Sequence, residues 1–156
     1  MSRQIVVGDL ADQMVGDFMR LKLHQPNGFQ AGRAIGMVHV PPQGPEFAQM
    51  IAGVWFENYN GANMMMHVAA EPNSSWMTKE LLWYVFHYVF VECGCKRVTG
   101  LVSASNDNAR QFDERIGFEL EAVLKDAAPD GDILVYRMFR DDCKWLKLAG
   151  RFRRVH

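Results

Sequence analysis

Two periodicities of apolar residues divide the chain into predicted strands and helices. Short runs rich in β-branched and aromatic residues predict strands, and apolar residues at helical spacing predict helices. After a first strand at residues 3–9, a helical series follows: Leu10, Met14, Phe18 and Leu21. Asp9 is the predicted N-cap of this helix. The whole pattern gives the order β-α-β-β-β-α-β-α-β-β, which is typical of an α/β domain.

Turn residues mark two hairpins in this pattern. Asn60 and Gly61 separate two β-rich runs within residues 51–70, because this dipeptide tolerates the positive φ angles of a tight turn. The sequence Pro-Asp-Gly at residues 129–131 joins the last two strands. Residues 24–32 also have turn composition. No repeat or linker divides the chain.

The longest apolar run lies in a predicted helix, Trp76–Cys93. Its centre, LLWYVFHYVFV at residues 81–91, is shorter than the ~20 residues of a membrane span and predicts a buried helix. Gly94 is predicted to end this helix. The next strand, residues 96–103, should lie parallel to the strand that begins at Met64, because the helix between them allows a right-handed crossover.

Size and charge favour a globular protein without bulk affinity for nucleic acid. The chain has 156 residues, of which 49% are apolar, and its formal net charge is −1. This size suits one domain, which we predict at residues 1–142. Bulk attraction to nucleic acid would need a larger positive charge. Residues 143–156 form a basic tail, which is predicted to be solvated, with an interaction arm as the alternative.

The cysteines and the N-terminal sequence predict a cytoplasmic protein. Cys93, Cys95 and Cys143 are odd in number and lack the pattern of a disulfide framework. A zinc site would need a second pair of ligands, so we expect no metal. The N-terminus lacks the basic and apolar regions of a signal peptide. We therefore expect a protein of the reducing cytoplasm that does not span a membrane.

The stretch SASNDNARQFDERIGFELEA, residues 103–122, carries the clearest resemblance to a known family. Asn106 ends a strand, Ala109 follows in a short helix, and Ile116–Phe118 closes that helix and opens the next strand. Together with the long helix, its closing glycine and the two hairpins, this arrangement resembles the GNAT superfamily of N-acetyltransferases. The resemblance covers Ala52–Arg140. It is nearest to the branch that acetylates amino groups of proteins or peptides, and to phage-borne members.

This resemblance implies a GNAT fold, with a mixed, mostly antiparallel sheet and a central β-α-β crossover. It also implies transfer of an acetyl group from acetyl-CoA to a primary amine by direct attack, without a metal, and it leaves a homodimer open. The alternative is a non-catalytic GNAT-fold protein that acts as a binding or phage structural component. The fold alone does not decide between these functions.

The resemblance assigns acetyl-CoA to the turn before the long helix. GNAT proteins hold the pyrophosphate with main-chain amides of a Gln/Arg-x-x-Gly-x-Gly/Ala turn, because a helix N-terminus presents unpaired N–H groups. In this chain the corresponding residues are Asn73, Ser74, Ser75, Trp76, Met77 and Thr78. Trp76 and Thr78 replace the two glycines, while the serine hydroxyls could donate hydrogen bonds. Either this turn still binds phosphate, or Trp76 plugs the cleft.

Further cofactor contacts are implied for the strand before this turn and for the start of the last helix. In the family a main-chain N–H of that strand meets the thioester carbonyl, and the corresponding residues are Val68, Ala69 and Ala70. The strand should diverge from its parallel neighbour so that the pantetheine arm can enter between them. The resemblance also implies that Asn106 contacts the cofactor, although this residue can cap the last helix as well.

The acceptor amine must lose a proton before it reacts. An amine of pKa ~10.4 is only about 0.04% neutral at pH 7, so a base is required. Glu71 and His67 are the candidates, with a solvated carboxylate and a hydrogen-bonded core histidine as the alternatives. Asp113 stands where the family commonly has a tyrosine that protonates the leaving thiolate. An ionised aspartate cannot donate that proton unless its pKa is raised.

Overall fold

Seven strands of the described part of the chain form one mixed sheet at the centre of the protein. A computed structural model describes residues 2–23 and 32–148. The strands are β1 (Ser2–Val6), β2 (Arg33–Val40), β3 (Gln49–Glu57), β4 (Asn63–Ala70), β5 (Arg97–Ser103), β6 (Glu119–Ala128) and β7 (Gly131–Phe139). Their order in the sheet is β1-β2-β3-β4-β5-β7-β6, and β4 and β5 pair in parallel while the other neighbours are antiparallel. This arrangement confirms the predicted mixed, mostly antiparallel sheet.

The described residues also contain three α-helices, which pack on the sheet. They are α1 (Asp9–Lys22), α2 (Lys79–His87) and α3 (Asp107–Ile116). α2 continues as a π-helical turn, Tyr88–Glu92, and short 3-10 helices lie at Pro45–Phe47, Arg140–Asp142 and Lys144–Leu148. Because α2 connects the parallel strands β4 and β5, the predicted central crossover is confirmed.

The first helix begins one residue earlier than predicted. Gly8 is the N-cap of α1, with a φ of 99°, and none of the described side chains caps this end. The prediction of Asp9 as the N-cap is therefore wrong. Asp9 is instead the first helical residue, and its carboxylate accepts a hydrogen bond of 2.9 Å from Arg33. An acidic side chain in the first turn still stabilises the positive end of the helix dipole.

The long helix begins at Lys79 and not at Trp76. Thr78 is the N-cap, and its Oγ1 accepts a hydrogen bond of 3.1 Å from the amide of Leu81. This side-chain cap fixes the first turn three residues later than the apolar pattern suggested. Gly94 follows the π-helical turn with a φ of 66°, which confirms it as the residue after the helix end.

The first predicted hairpin has a longer loop than expected. β3 ends at Glu57 and β4 begins at Asn63. Within the loop, Oδ1 of Asn60 accepts hydrogen bonds from two main-chain amides at 2.9 and 3.0 Å, and Gly61 has a φ of 92°. The two residues thus make the turn through a side-chain hydrogen bond and a left-handed glycine. The last hairpin closes between Ala128 and Gly131, as predicted.

Two glycines allow α1 to lie directly on one face of the sheet. Gly36 and Gly53 are partners across β2 and β3. A Cβ atom at these positions would lie 2.7 and 2.6 Å, respectively, from a methyl group of Val15. Trp55 and Ala69 pack in the same cluster with α1. α1 therefore covers β2, β3 and β4 on this side, which we call the α1 face.

The opposite face of the sheet holds the main core. α2, α3 and the segment after β7 pack there against β2, β3, β4, β5 and β7. Every residue from 81 to 86 is buried, which confirms the prediction of a buried helix. All three cysteines are free, and Cys95 and Cys143 are buried. Within the two described ranges, no helix is long and apolar enough to cross a membrane.

The residues after β7 turn back onto the domain. Cys143 is buried, and Trp145 Nε1 donates a hydrogen bond of 2.8 Å to the carbonyl oxygen of Ile116 at the end of α3. The first part of the predicted tail is thus packed against the core up to Leu148. The predicted boundary at residue 142 stays a prediction. The remaining tail, and most of the predicted turn at residues 24–32, lie outside the described residues.

Candidate active site

β4 and β5 separate part-way along their length. Their parallel pairing consists of three residue pairs and ends at Met65 and Thr99. Beyond this point β4 continues beside β3 to Ala70, and β5 continues beside β7 to Ser103. We call the resulting space between the two strands the gap. Its presence agrees with the divergence of these strands that the resemblance implies.

The main chain of β4 directs polar groups into the gap. The amide of Glu71 donates a hydrogen bond of 2.8 Å to the carbonyl of Ile51 in β3. Since backbone directions alternate along a strand, the N–H and C=O groups of Val68 and Ala70 point away from β3 and into the gap. Those of Ala69 point toward β3. Two of the three predicted residues are therefore oriented to meet a carbonyl group.

The turn before α2 presents a run of unpaired amides. Asn73 and Ser75 have positive φ angles of 59° and 49°. Such alternation of backbone conformation can aim successive amides toward a common anion. Within the described part of the chain, no hydrogen bond involves the amides of residues 73–77. Trp76 and Thr78, which replace the family's glycines, do not have positive φ, so their backbone does not require glycine.

Side chains in this turn are partly engaged with its own backbone. Ser74 Oγ donates a hydrogen bond of 2.7 Å to the carbonyl of Glu71. The guanidinium of Arg3 donates to the carbonyl of Ser75. The hydroxyl of Ser74, which the sequence offered as a phosphate donor, is thus already committed. The main-chain amides of this turn remain available as donors.

The indole of Trp76 packs against α3. Its ring centroid lies 5.0 Å from that of Phe112, and the two planes are inclined by 40°. The side chain is half buried at the margin of the main core. β4 and β5 are apart beyond Met65 and Thr99. The indole of Trp76 nevertheless connects the segment after β4 with α3, the helix after β5.

The contact between Trp76 and Phe112 is expected to stabilise the protein. Aromatic pairs contribute about 0.5–1.5 kcal/mol beyond the area that they bury. A double-mutant cycle of Trp76→Ala and Phe112→Ala, measured by urea unfolding, should give a coupling energy of this size. The control cycle pairs Trp76→Ala with Phe139→Ala, a residue of the other sheet face, and should be additive. A coupling energy of zero for the first pair would contradict the contact.

Asn106 and Gly117 define the two ends of α3. Oδ1 of Asn106 accepts a hydrogen bond of 3.1 Å from the amide of Ala109. Gly117 has a φ of 113°, and Phe118 returns to the core. The capping of α3 is therefore sufficient to explain why Asn106 and Gly117 occur at these positions. A contact between Asn106 and acetyl-CoA stays a prediction.

His67 and Glu57 form a pair on the α1 face. His67 lies opposite Trp55 in the register of β3 and β4, and two residues past Met65, so it borders the start of the gap. Its Nε2 is 2.8 Å from Oε1 of Glu57, and the two side chains are 20% and 11% exposed. The second oxygen of Glu57 is buried and has no hydrogen-bond partner within the described residues.

Glu71, the other candidate base, lies just beyond β4 and is engaged with a cation. Its carboxylate is 2.7 Å from the ammonium of Lys22 in α1, and its side chain is 40% exposed. An exposed pair of this kind contributes little to stability. The lysine nevertheless competes with any amine for this carboxylate. Of the two predicted bases, His67 has the position beside the gap.

Asp113 is a buried carboxyl group without a partner. It is 8% exposed, and no hydrogen bond or ion pair reaches its carboxylate within residues 2–23 and 32–148. A Cβ at Gly100 would lie 3.6 Å from Oδ2 of Asp113 and 4.0 Å from the carbonyl oxygen of Met66. The carboxyl group therefore faces the gap from the α3 side. Burial, with a smaller effect of Glu114, raises the pKa of Asp113 to about 7.

The gap thus has a titratable group on each side of the sheet. His67 borders it on the α1 face, and Asp113 reaches it from the opposite face. A buried carboxyl group without a partner costs free energy, and such groups concentrate at functional sites. In the described ranges, no three His, Cys, Asp or Glu side chains are grouped so that they could hold a metal ion.

Comparison with known proteins identifies the fold. No family model and no curated protein matches the sequence. A solved structure of a mutant spermidine N-acetyltransferase SpeG from Vibrio cholerae matches with 14% identity and a TM-score of 0.66, covering 92% of this chain and 96% of that one. A GNAT family acetyltransferase from Bacillus anthracis matches with 14% identity and a TM-score of 0.63, covering 90% and 96%. This chain therefore has the fold of the GNAT acetyltransferases.

Proposed function

We propose that this protein is an N-acetyltransferase that moves an acetyl group from acetyl-CoA to a primary amine. The gap between β4 and β5 is the observation that carries the proposal, because main-chain groups are directed into it and a titratable side chain lies on either side. Proteins with the same fold include a spermidine N-acetyltransferase and a GNAT family acetyltransferase. Four finer points stay predictions from the sequence: a protein or peptide amino group as acceptor, a phage origin, a cytoplasmic location and a homodimer.

The residues present fit a donor that carries a pyrophosphate. The amides of residues 73–77 have no hydrogen-bond partner among the described residues, and they precede the N-terminus of α2, where backbone N–H groups favour anions. The N–H groups of Val68 and Ala70 face the gap, and Gly100 has no side chain to fill it. When bound, acetyl-CoA supplies an acetyl group activated as a thioester.

Two side chains handle the protons of the reaction in this proposal. His67 accepts the proton that the acceptor's ammonium group must lose, and Glu57 orients the imidazole through the contact at 2.8 Å. The amine nitrogen then bonds to the acetyl carbon as the carbon–sulfur bond breaks, and the nitrogen releases its second proton to solvent water as the amide forms. Asp113 donates a proton to the departing sulfur. With its pKa raised to about 7, this carboxyl group is protonated in a large fraction of molecules at neutral pH.

Acetyl-CoA is expected to stabilise the protein against heat. A ligand at about 100 times its Kd adds about 2.7 kcal/mol, which raises the Tm of a domain of this size by about 5–10 °C. Thermal unfolding with and without acetyl-CoA measures this effect, and release of free thiol after addition of an amine measures transfer. ADP, which lacks the pantetheine arm, is the control and should stabilise less. Unchanged melting in millimolar acetyl-CoA would contradict the proposal.

The second candidate function is that of a non-catalytic GNAT-fold protein, which serves as a binding or phage structural component. The contact of Trp76 with Phe112 favours it, because the indole ties together the two segments that follow β4 and β5. On this alternative, acetyl-CoA changes neither the melting temperature nor the release of thiol. The titration above therefore separates the two functions.

A further inference from the structure

Exposed and half-buried apolar side chains lie beside the gap on the α1 face. Cross-strand pairing aligns them in two rows over β5, β7 and β6, namely Leu101–Val135–Ala122 and Ser103–Ile133–Leu124. They alternate with buried residues such as Val102 and Leu134, so they face away from α2 and α3. Leu101 is 38% exposed and Leu124 is 44% exposed. We call the apolar members of these rows the apolar strip.

The apolar strip begins at the edge of the gap. Met65 and Thr99 are the last partners of β4 and β5. His67 and Leu101 are the next residues on the same face of the two strands, so they stand on opposite sides of the gap. α1 packs over β2, β3 and β4 and occupies the side beyond His67. If the amine of an acceptor reaches His67, α1 blocks one direction for the rest of the molecule. The remaining atoms of the acceptor can then lie on the apolar strip.

Three carboxylates of this face are paired within the described residues, and the oxygen of Glu57 that has no hydrogen bond there is buried. The pairs are Glu121 with Arg97 at 2.7 Å, Glu119 with Arg137 at 3.1 Å, and Glu57 with His67 at 2.8 Å. A second ammonium group on the acceptor would lose water beside Leu101 without gaining a carboxylate of its own. It would also approach the guanidinium groups of Arg97 and Arg137. An apolar group at the same place would gain by leaving water.

We infer that the acceptor is a primary amine carried on an apolar body, and that the apolar strip binds this body. The inference rests on the proposed acetyltransferase function. It specifies the substrate class of that site: a monoamine with an alkyl or aromatic portion is favoured over a polyamine.

Hexylamine and cadaverine are the matched probes for this inference. They have the same number of non-hydrogen atoms, and they differ by a terminal methyl group in one and a second ammonium in the other. Isothermal titration of each amine into the protein, without acetyl-CoA, should show at least about ten-fold tighter binding of hexylamine. Transfer assays with acetyl-CoA should show the same order in kcat/KM.

Substitutions on the two faces of the sheet locate the binding surface. Leu101→Asp is expected to abolish the preference for hexylamine. Val123→Asp is the control, because Val123 is similarly exposed at 41% but pairs with the buried Leu134 on the other face, and it should keep the preference. Equal or tighter binding of cadaverine by the unaltered protein would overturn the inference. Acetylation of cadaverine but not hexylamine would overturn it too, yet leave the acetyltransferase function standing. That function fails separately if acetyl-CoA does not bind.

Discussion

Replacement of Asp113 by asparagine is expected to stabilise the protein by about 4 kcal/mol at pH 8. The pKa of about 7 lies about three units above the ordinary value of 3.8, and each unit corresponds to about 1.36 kcal/mol. Because the pKa is raised in the folded state, folding favours the protonated carboxyl group. The penalty is absent below pH 3.8, grows as the pH rises, and is complete above pH 7. An amide stays neutral throughout, so Asp113→Asn removes the penalty.

Urea unfolding at several values between pH 5 and 8 measures this effect. The free energy of unfolding of the unaltered protein should fall over this range, and that of Asp113→Asn should fall much less. Asp107→Asn is the matched control, because Asp107 lies on the same helix with an exposed side chain, and it should keep the slope of the unaltered protein. If Asp113→Asn keeps that slope as well, the carboxyl group is ionised in the folded protein at neutral pH. Its role as a proton donor would then be contradicted.

The same substitution should reduce turnover while it increases stability. An amide fills the space of the carboxyl group but does not release a proton to sulfur. Opposite changes in stability and activity are typical of a residue that is retained for function at a cost to folding. A substitution at a purely structural position would not combine the two effects.

Replacement of His67 by glutamine is expected to lower kcat at pH 7 by about 10²–10⁴-fold, the usual range for loss of a general base. Glutamine can still hydrogen-bond to Glu57 but cannot accept the proton of an ammonium group. The loss should shrink as the pH is raised, because the neutral fraction of the amine grows about ten-fold per pH unit. Initial rates with a primary amine between pH 7 and 9 measure both effects.

Glu71→Gln provides the comparison, since it removes the other candidate base and the partner of Lys22. We expect a smaller loss than for His67→Gln, because Glu71 lies beyond β4 and is already paired at 2.7 Å. The KM for acetyl-CoA should change little in either variant. A larger loss in Glu71→Gln would assign the base to Glu71 and refute the role of His67.

Local signals were sufficient to predict most of the fold. The run at residues 81–86 has no polar face, so burial was readable from its composition. Asn106 and Gly117 act within one helical turn, and capping chemistry of that kind is local. The N-cap of α1 was missed because Gly8 and Asp9 are both acceptable caps. The backbone of Gly8 makes it the cap, because its φ is 99° and its carbonyl oxygen accepts a hydrogen bond of 2.8 Å from the amide of Asp12.

The chemistry of the site was less predictable, because it depends on register and burial. Glu57 could not be singled out, since its contact with His67 follows from the pairing of β3 with β4. Asp113 looks like a solvated helix residue in the sequence, and only the packing of α3 over Gly100 shows that its carboxyl group is buried. In the turn before α2, the positive φ angles occur at Asn73 and Ser75, where the side chains give no sign of them.

The hydrogen bond from Trp145 to the carbonyl of Ile116 has a practical consequence for protein expression. It braces the end of the helix that carries Asp113 with a residue that lies beyond the domain boundary suggested by the sequence. A version trimmed at residue 142 would keep the seven described strands but lose this brace, so the end of α3 would hold Asp113 less firmly against Gly100. Recombinant versions should therefore extend at least through Leu148 if they are to report on catalysis.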